Sequence, residues 1–506
     1  MLRPWSLKLP LQQGSELPLH LQITQAVVAD IRAARLRPGD ALPSSRVLAA
    51  DLSINRKTVV LAYDELQAQG WIEQQPRRGA FVSARLPTFT LQASEPIIPA
   101  ELPLRRVSPT LTDYFGETRK RETGKLVFSD GIPDTRLIPY DVLARAYRHA
   151  MVTLVRHNQL GYGDPAGTPE LRTAIANMLR MERGLNVRPE QVCVVRGSQM
   201  GIYLAARLLV DRDSCAVFES LSYPPAREAF RSCGATVLNV AQDENGLLPD
   251  ALEDLCRTHT VRIVYVTPHH QFPTTVMLPA DRRMRLLALA EQYGFAIVED
   301  DYDHEFHYLH SPVPPLASLD RNGRVLHIGS LSKVLAPGLR LGYLVAAERV
   351  IERCAAEIML IDRQGNQLTE LAVGELMSSG ELHRHIRRTL KVYQARRDFV
   401  ATCITERLAG WGQFDLPAGG IALWLRFVSQ VDMPRLVADC AKQGLQITDG
   451  QIFSQETTPV RAIRLGFGHL TEAELDAGIR CLAAALKQQV AGAINIDRSN
   501  FPDRPR

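Results

Sequence analysis

The sequence predicts an α/β chain in two parts: a large domain on a mainly parallel sheet with helices on both faces, preceded by a small winged helix-turn-helix. Three observations carry this. At 506 residues the chain exceeds one ordinary domain. After residue 125, short apolar runs alternate with longer amphipathic stretches, the βα rhythm of a parallel sheet. Before residue 85 the pattern is instead three helices and a hairpin.

Composition is that of a soluble globular chain, 45% hydrophobic and 23% charged. No run approaches the ~20 apolar residues of a membrane span, and MLRPWSLKLPLQQG has neither a signal-peptide apolar core nor a transit-peptide pattern. A cytoplasmic location without a membrane partner is expected. The eight cysteines are scattered without a CxxC pair, which fits reduced thiols and neither a disulfide framework nor a zinc site. Residues 1–84 carry 10 Lys/Arg against 7 Asp/Glu, 85–125 carry 7 against 5, and the remainder 42 against 43. The small basic excess therefore lies at the front, where a polyanion would bind.

In PLHLQITQAVVADIRAARL, Ile23, Val27 and Ile31 recur every four positions, predicting an amphipathic helix that ends before RPGD. Ser44 is the N-cap of a second helix in LPSSRVLAADL, with Val47, Leu48 and Leu52 expected on one face. NRKTVVLAYDELQAQG predicts a third, with Val59, Tyr63 and Leu66 inward and Gly70 as its stop. WIEQQPRRGAFV reads as two short strands around a basic turn.

A recognition helix of this motif points its N-terminal residues at base edges. Here that end carries Asn55, Arg56, Lys57 and Thr58. Arg46 in the preceding helix and Arg77 and Arg78 in the wing are placed for phosphates or the minor groove. A winged helix used only for protein contacts would leave these cations as solvated surface. The string GDALPSSRVLAADLSINRKTVVLAYDELQAQGWIEQQPRRGAFV resembles the DNA-binding domain of the GntR family of bacterial repressors, nearly position for position from Leu42 to Val82. That resemblance puts Ser44, Arg46, Arg56, Lys57, Thr58, Arg78 and Gly79 at DNA-contacting positions and implies double-stranded operator DNA as partner.

Residues 85–125 hold five prolines between Pro87 and Pro109, then the charged run ETRKRETGK, and read as a linker. The expected division is a DNA-binding domain at 1–84, the linker, a large domain at 126–490 and a tail at 491–506.

In the large domain VCVV, CAVFE, RIVYVT, FAIVE and RVLHIG predict strands, and ligands gather beyond strand C-termini in such sheets. After VCVV, Gly197, Ser198 and Gln199 lead into a helix whose N-terminal amides suit a phosphate. After FAIVE come Asp300, Asp301 and Tyr302; a carboxylate there can hold a protonated pyridine nitrogen, as pyridoxal phosphate requires. After RVLHIG come Ser330, Ser332, Lys333 and Arg340, an amine able to form a Schiff base beside phosphate donors.

Three other readings of these pieces fit less well. Lys333 alone would read as an ordinary surface lysine, and it is the three motifs in order that weigh against this. Ser330 and Lys333 make an S-x-x-K, but no K-T-G or S-D-N follows. Asp303, His304, Glu305 and His307 could ligate a metal only if they converged; along a strand and loop they diverge, so no metal is expected.

The order and spacing of these motifs resemble the fold type I aminotransferases, which depend on pyridoxal 5'-phosphate, over roughly residues 126–490. The resemblance makes Lys333 the Schiff-base lysine, Asp300 the pyridinium partner, Tyr302 a neighbour of the ring hydroxyl and Tyr223 the stacking residue. Ser198, Gln199, Ser330 and Arg340 take the phosphate. Tyr162, in GYGDPAGTPELR, matches a tyrosine that reaches the neighbouring subunit's cofactor, implying a homodimer, and Arg464, in IRLGFG, matches the arginine that pairs with a substrate carboxylate. One departure stands out: where free aminotransferases have Asn-Pro-Thr-Gly this chain has Phe272-Pro273-Thr274-Thr275. His270 or Gln271 is the expected substitute for the missing Asn contact, and Thr275 occupies a position whose glycine suggests a backbone angle that a β-branched residue dislikes.

Both halves together resemble the MocR subfamily of GntR-type regulators, as do the phrases TPHHQFPT and VEDDYDHEF. The resemblance implies a pyridoxal-phosphate-dependent transcription factor sensing a small amine, an amino acid or the cofactor itself, with at most weak aminotransferase activity. A working aminotransferase carrying a DNA-binding domain would instead turn over at ~1 s⁻¹ or more. A regulator that had lost the cofactor would be colourless and indifferent to Lys333→Ala.

Overall fold

The computed structural model of the protein describes residues 9–11, 17–75, 78–87, 126–129, 131–308 and 313–490. The chain divides into two compact units, Met1–Arg105 and Arg106–Arg506. Arg77, the tail and, apart from residues 85–87, the linker lie outside the described residues.

In the first unit α1 (Leu19–Arg32), α2 (Ser45–Asp51) and α3 (Arg56–Ala68) precede the antiparallel strands β1 (Ile72–Gln75) and β2 (Gly79–Val82). The four-residue spacing buries Ile23, Val27 and Ile31 of α1, and Val59, Tyr63 and Leu66 of α3 lie in the same core with Trp71 and Val82. Ser44 caps α2 by accepting from the Val47 amide at 3.3 Å, and Asn55 caps α3 by accepting from the Lys57 amide at 2.8 Å. Tyr63 donates to the Pro43 carbonyl at 2.7 Å, which fixes α3 against the start of α2. Gly70, at φ 78°, turns the chain out of α3. The expected inner face of α2 needs correction. Val47 is exposed, Leu52 is only the half-buried C-cap, and Leu48 and Ala49 make the contact. A helix of seven residues is barely two turns long, so its apolar spacing does not define one face.

The second unit centres on a seven-stranded sheet. In chain order its strands are β3 (Val192–Val195), β4 (Cys215–Glu219), β5 (Thr236–Val240), β6 (Val261–Val266), β7 (Ala296–Asp301), β8 (Val325–Ser330) and β9 (Gly342–Val345). Across the sheet they run β3-β9-β8-β7-β6-β4-β5. The β4–β5, β4–β6, β6–β7 and β7–β8 pairings are parallel, and β9 is antiparallel to both its neighbours. Neighbouring strand residues enter opposite cores. Phe218, Tyr265 and Val298 pack with the helix Ser198–Leu209 on one face; Val217, Val264 and Ile297 pack with the helix Ala280–Tyr293 on the other. A third core joins β10 (Ala422–Phe427), β11 (Ala462–Gly466) and the helix Glu381–Arg407 around Leu423, Leu425, Ile463 and Ile404. All eight cysteines are free.

Candidate functional site

On the first unit, Arg46 on α2, Arg56 and Lys57 at the start of α3, and Arg78 and Gly79 at the hairpin tip are all exposed. The N-cap geometry aims the first turn of α3 outward, and Arg56 Nε sits 3.3 Å from Ser45 Oγ, which steadies its guanidinium between the two helices. Ser44 is exposed as well, although its hydroxyl is engaged in capping; Thr58 is half-buried. Arg78 lies over the Phe81 ring at 5.5 Å, an apolar rest for a wing cation.

On the second unit the strand C-termini meet at a cleft. Its inner part, about 80 Å³, is lined by Ser198, Tyr223, Asp300, Tyr302 and Lys333 together with Tyr265, Thr267 and Phe272. Its outer part, about 530 Å³, shares Ser198, Tyr223 and Lys333 and adds Gln199, Ser330 and Arg340. Motifs separated by more than a hundred residues thus converge on one lysine. Lys333 Nζ stands 5.6 Å from the centre of the Tyr302 ring and hydrogen-bonds the Gly131 carbonyl.

Strand alternation selects which acid enters this cleft. Glu299 and Asp301 turn to the opposite face, where Glu299 meets His327 at 2.9 Å and Asp301 meets Arg183 at 2.5 Å. Burial alone would raise Asp301, but Arg183 and His269 hold it well below the usual carboxylate range. Asp300 faces the cleft. Tyr265 donates to its Oδ2 at 2.7 Å, while Oδ1 is buried without a partner among the described residues. Burial, with Asp301 and Asp303 nearby, pushes its pKa up to about 7. Asp303 pairs with His270 at 2.7 Å, while His304 Nε2 lies 3.3 Å from Glu305 Oε1, where burial pushes the histidine pKa down and the carboxyl pKa up.

At the other end of the cleft Gly197 takes φ 75° and leads into the helix Ser198–Leu209. A Cβ there would meet Arg340 Nη2 at 2.8 Å, so glycine is what lets the guanidinium close over the helix N-terminus. Arg340 is fixed by donating to the Arg196 carbonyl at 2.8 Å. The Gln199 side chain donates to the Pro225 carbonyl at 3.2 Å, which leaves its main-chain amide as its contribution to an anion.

The loop after β6 keeps its shape despite its unusual residues. Thr275 takes φ 67°, the left-handed angle its position implied, and its amide donates to the Gln271 carbonyl at 2.6 Å. A β-branched residue is strained there. Thr275→Gly is expected to raise the unfolding free energy by about 1 kcal/mol, read from chemical denaturation; a decrease would show that Thr275 contacts outweigh the strain. Phe272 fills the Asn position with an aromatic face, its ring edge-on to Tyr223 at 5.1 Å and to Tyr302 at 6.2 Å. The side chains of both expected substitutes are engaged within the chain. His270 is bound to Asp303, and Gln271 spans Glu219, the Leu221 carbonyl and Thr274.

Arg464 is buried beside the inner cleft, its guanidinium 4.6 Å over Phe272 and donating to the Pro273 carbonyl at 2.7 Å and to Tyr302 Oη at 3.2 Å. Tyr302 in turn donates to the His270 carbonyl at 2.9 Å. Tyr162 does not join the cleft of its own chain. It is 80% exposed, with Arg363 4.7 Å over its ring. In the inner cleft Tyr265 and Thr267 are the lining residues that the motifs do not reveal. Tyr265 pairs in register with Val298 and so shares a face with Asp300 two positions on, a signal that needs the strand register as well as the sequence.

Two family patterns match the chain: "Aminotransferase class I and II" over residues 124–482 and "Bacterial regulatory proteins, gntR family" over 19–82. The chain is 31% identical to the probable rhizopine catabolism regulatory protein MocR of Rhizobium meliloti, across 98% of this chain and 99% of that one. It is 32% identical to the transcriptional regulator TauR of Rhodobacter capsulatus, across 94% and 98%. Among solved structures, the α-aminoadipate aminotransferase LysN of Thermus thermophilus, complexed with N-(5'-phosphopyridoxyl)-L-leucine, superposes with a TM-score of 0.69 at 27% identity, covering 76% of this chain and 96% of that one. Among the described residues no helix is long and apolar enough to cross a membrane. The chain is a DNA-binding transcriptional regulator and belongs to the MocR subfamily of the GntR family, in which a winged helix-turn-helix is joined to an aminotransferase class I and II domain.

Proposed function

We propose that the large domain, residues 126–490, holds pyridoxal 5'-phosphate and senses a small amine, an amino acid or the cofactor itself. Its occupancy then sets how the winged helices at 1–84, tethered by 85–125, meet operator DNA in the cytoplasm. The carrying observation is Asp300: a buried carboxyl oxygen without a hydrogen-bond partner among the described residues, opening on a cleft that also holds Lys333. A cationic ring nitrogen is the partner that such an oxygen lacks. When bound, the cofactor supplies an electron-withdrawing ring and an aldehyde carbon that exchanges one amine for another.

The chain's own groups divide the remaining work. Lys333, which lines the cleft, would provide the amine that holds the cofactor. Asp300, steadied by Tyr265, keeps the proton on the ring nitrogen, and Tyr223 and Phe272 exclude water from the ring's surroundings. Ser198, Ser330, Arg340 and the first amides of the helix Ser198–Leu209 bind the phosphate. Arg464 receives an effector carboxylate, with Tyr302 orienting its guanidinium. Tyr162 belongs to the partner's site in a homodimer. Its 80% exposure, with Leu160 62% and Val155 57% exposed nearby, supports a contact surface there.

The test is a spectral titration of the purified protein with amines and amino acids, with and without operator. The parent protein is expected to be yellow and Lys333→Ala colourless. Sensing requires the effector's affinity to change when operator is present, by the same factor as the operator's affinity changes with effector. Equal affinities in the two titrations overturn the proposal.

A further inference from the structure

Four residues of α3 face the core: Val59, Ala62, Tyr63 and Leu66. The opposite side of the same helix presents Lys57, Val60, Leu61 and Asp64 to solvent, Leu61 at 54% and Val60 at 36% exposure. One exposed leucine is unremarkable by itself. This one lies on a recognition helix, one turn beyond Lys57 and on the same face; Arg56 on the same helix and Arg46 on α2 are exposed as well. A polyanion is the partner that such a cationic rim selects. The only apolar group that the major groove of a polyanionic duplex offers is the 5-methyl of thymine.

We propose that Leu61, assisted by Val60, reads thymine methyl groups, so that each operator half-site requires an A·T pair where this turn of α3 lies. The inference rests on α3 being the recognition helix. Lys57 and Leu61 are four residues apart, about 6 Å along the helix, which is about two base-pair steps at 3.4 Å each. The required A·T pair therefore falls about two steps from the position met by Lys57. Asp64, one turn further on, closes the stretch with a charge that phosphates repel.

The experiment selects duplexes from a randomised pool with the full-length protein, then rebuilds the enriched sequence with uracil replacing each thymine singly, which removes the methyl and nothing else. At one or two thymines per half-site uracil is expected to weaken binding about fourfold, the worth of one buried methyl group. In Leu61→Ala the same replacement should cost less than twofold while the salt dependence is unchanged. Uracil tolerated at every thymine, or an undiminished penalty in Leu61→Ala, overturns the proposal. So does a loss of self-association in Leu61→Ala with its base preference intact, since the face would then serve a protein contact. If α3 is not the recognition helix, Arg56→Ala retains full operator affinity, a result separate from any of these. Leu61 is outside the core, so an unchanged thermal midpoint verifies that the variant is folded.

Discussion

Asp300→Asn is expected to bind pyridoxal phosphate about 10²–10⁴-fold more weakly than the parent, and yet to be the more stable protein without cofactor at pH 8. Both effects come from one buried carboxyl. The pKa of Asp300 rises from 3.8 to about 7 because burial penalises its charge. A rise of that size corresponds to roughly 4 kcal/mol, an upper bound on what its ionisation removes from the folded state. The sign follows from the direction. The folded pKa lies above the unfolded one, so Asp300's contribution to stability is fully present below about pH 4 and is lost as pH rises through about 7. Asparagine does not ionise and escapes this loss, while its carbonyl can still accept from Tyr265. It cannot balance a cationic ring nitrogen, and removing one partner of a buried charge pair costs about 3–5 kcal/mol. Urea midpoints at pH 5 and pH 8, without cofactor, check the first claim; cofactor titration checks the second. Glu219, raised to about 7 by burial, keeps part of the pH dependence in both proteins, so the difference between them is the diagnostic quantity. Parallel pH profiles would show that Asp300 stays ionised in the empty cleft.

The tension between stability and binding also explains which features are legible in sequence. Parallel strands buried on both faces are continuous apolar runs, and VCVV, CAVFE and FAIVE announce themselves as such. Strand direction is not written in composition, and β9 runs against its neighbours. Its clue is the link, residues 331–341, shorter than the dozen or so residues a parallel crossover needs. Lys333 and Asp300 stand out because chemistry-bearing residues at strand ends break an apolar pattern. Tyr265 does not, since a tyrosine inside a strand is ordinary; only pairing β6 with β7 brings its hydroxyl to Asp300. The 269–279 loop misleads in the other direction. Replacing Asn by Phe and Gly by Thr suggests a changed turn, but Thr275 accepts the left-handed angle and the loop's hydrogen bonds hold it there. In α2 the failure is one of length, because two turns give Val47 no periodic context.

Arg56→Ala is expected to lower operator affinity at least tenfold per half-site while leaving cofactor binding and its absorbance unchanged. The side chain emerges exposed from the first turn of α3, whose N-terminus Asn55 caps by accepting from the Lys57 amide. Arg56 Nε contacts Ser45 Oγ at 3.3 Å, which restrains the guanidinium before DNA arrives and reduces the entropy lost on binding. A guanidinium on a guanine edge is worth about 1–3 kcal/mol of discrimination, so a base contact would appear as relaxed specificity at one position. A phosphate contact would instead weaken all sequences alike and reduce the slope of log affinity against log salt by about one. Measuring affinity for operator and for a scrambled duplex at several salt concentrations separates the two roles. Arg46→Ala, from the exposed side of α2, should follow the phosphate pattern, since α2 crosses the backbone while α3 enters the groove. Full affinity in Arg56→Ala at every salt concentration would mean that α3 does not face DNA, and the exposed cations of this unit would then have to be read as solvated surface.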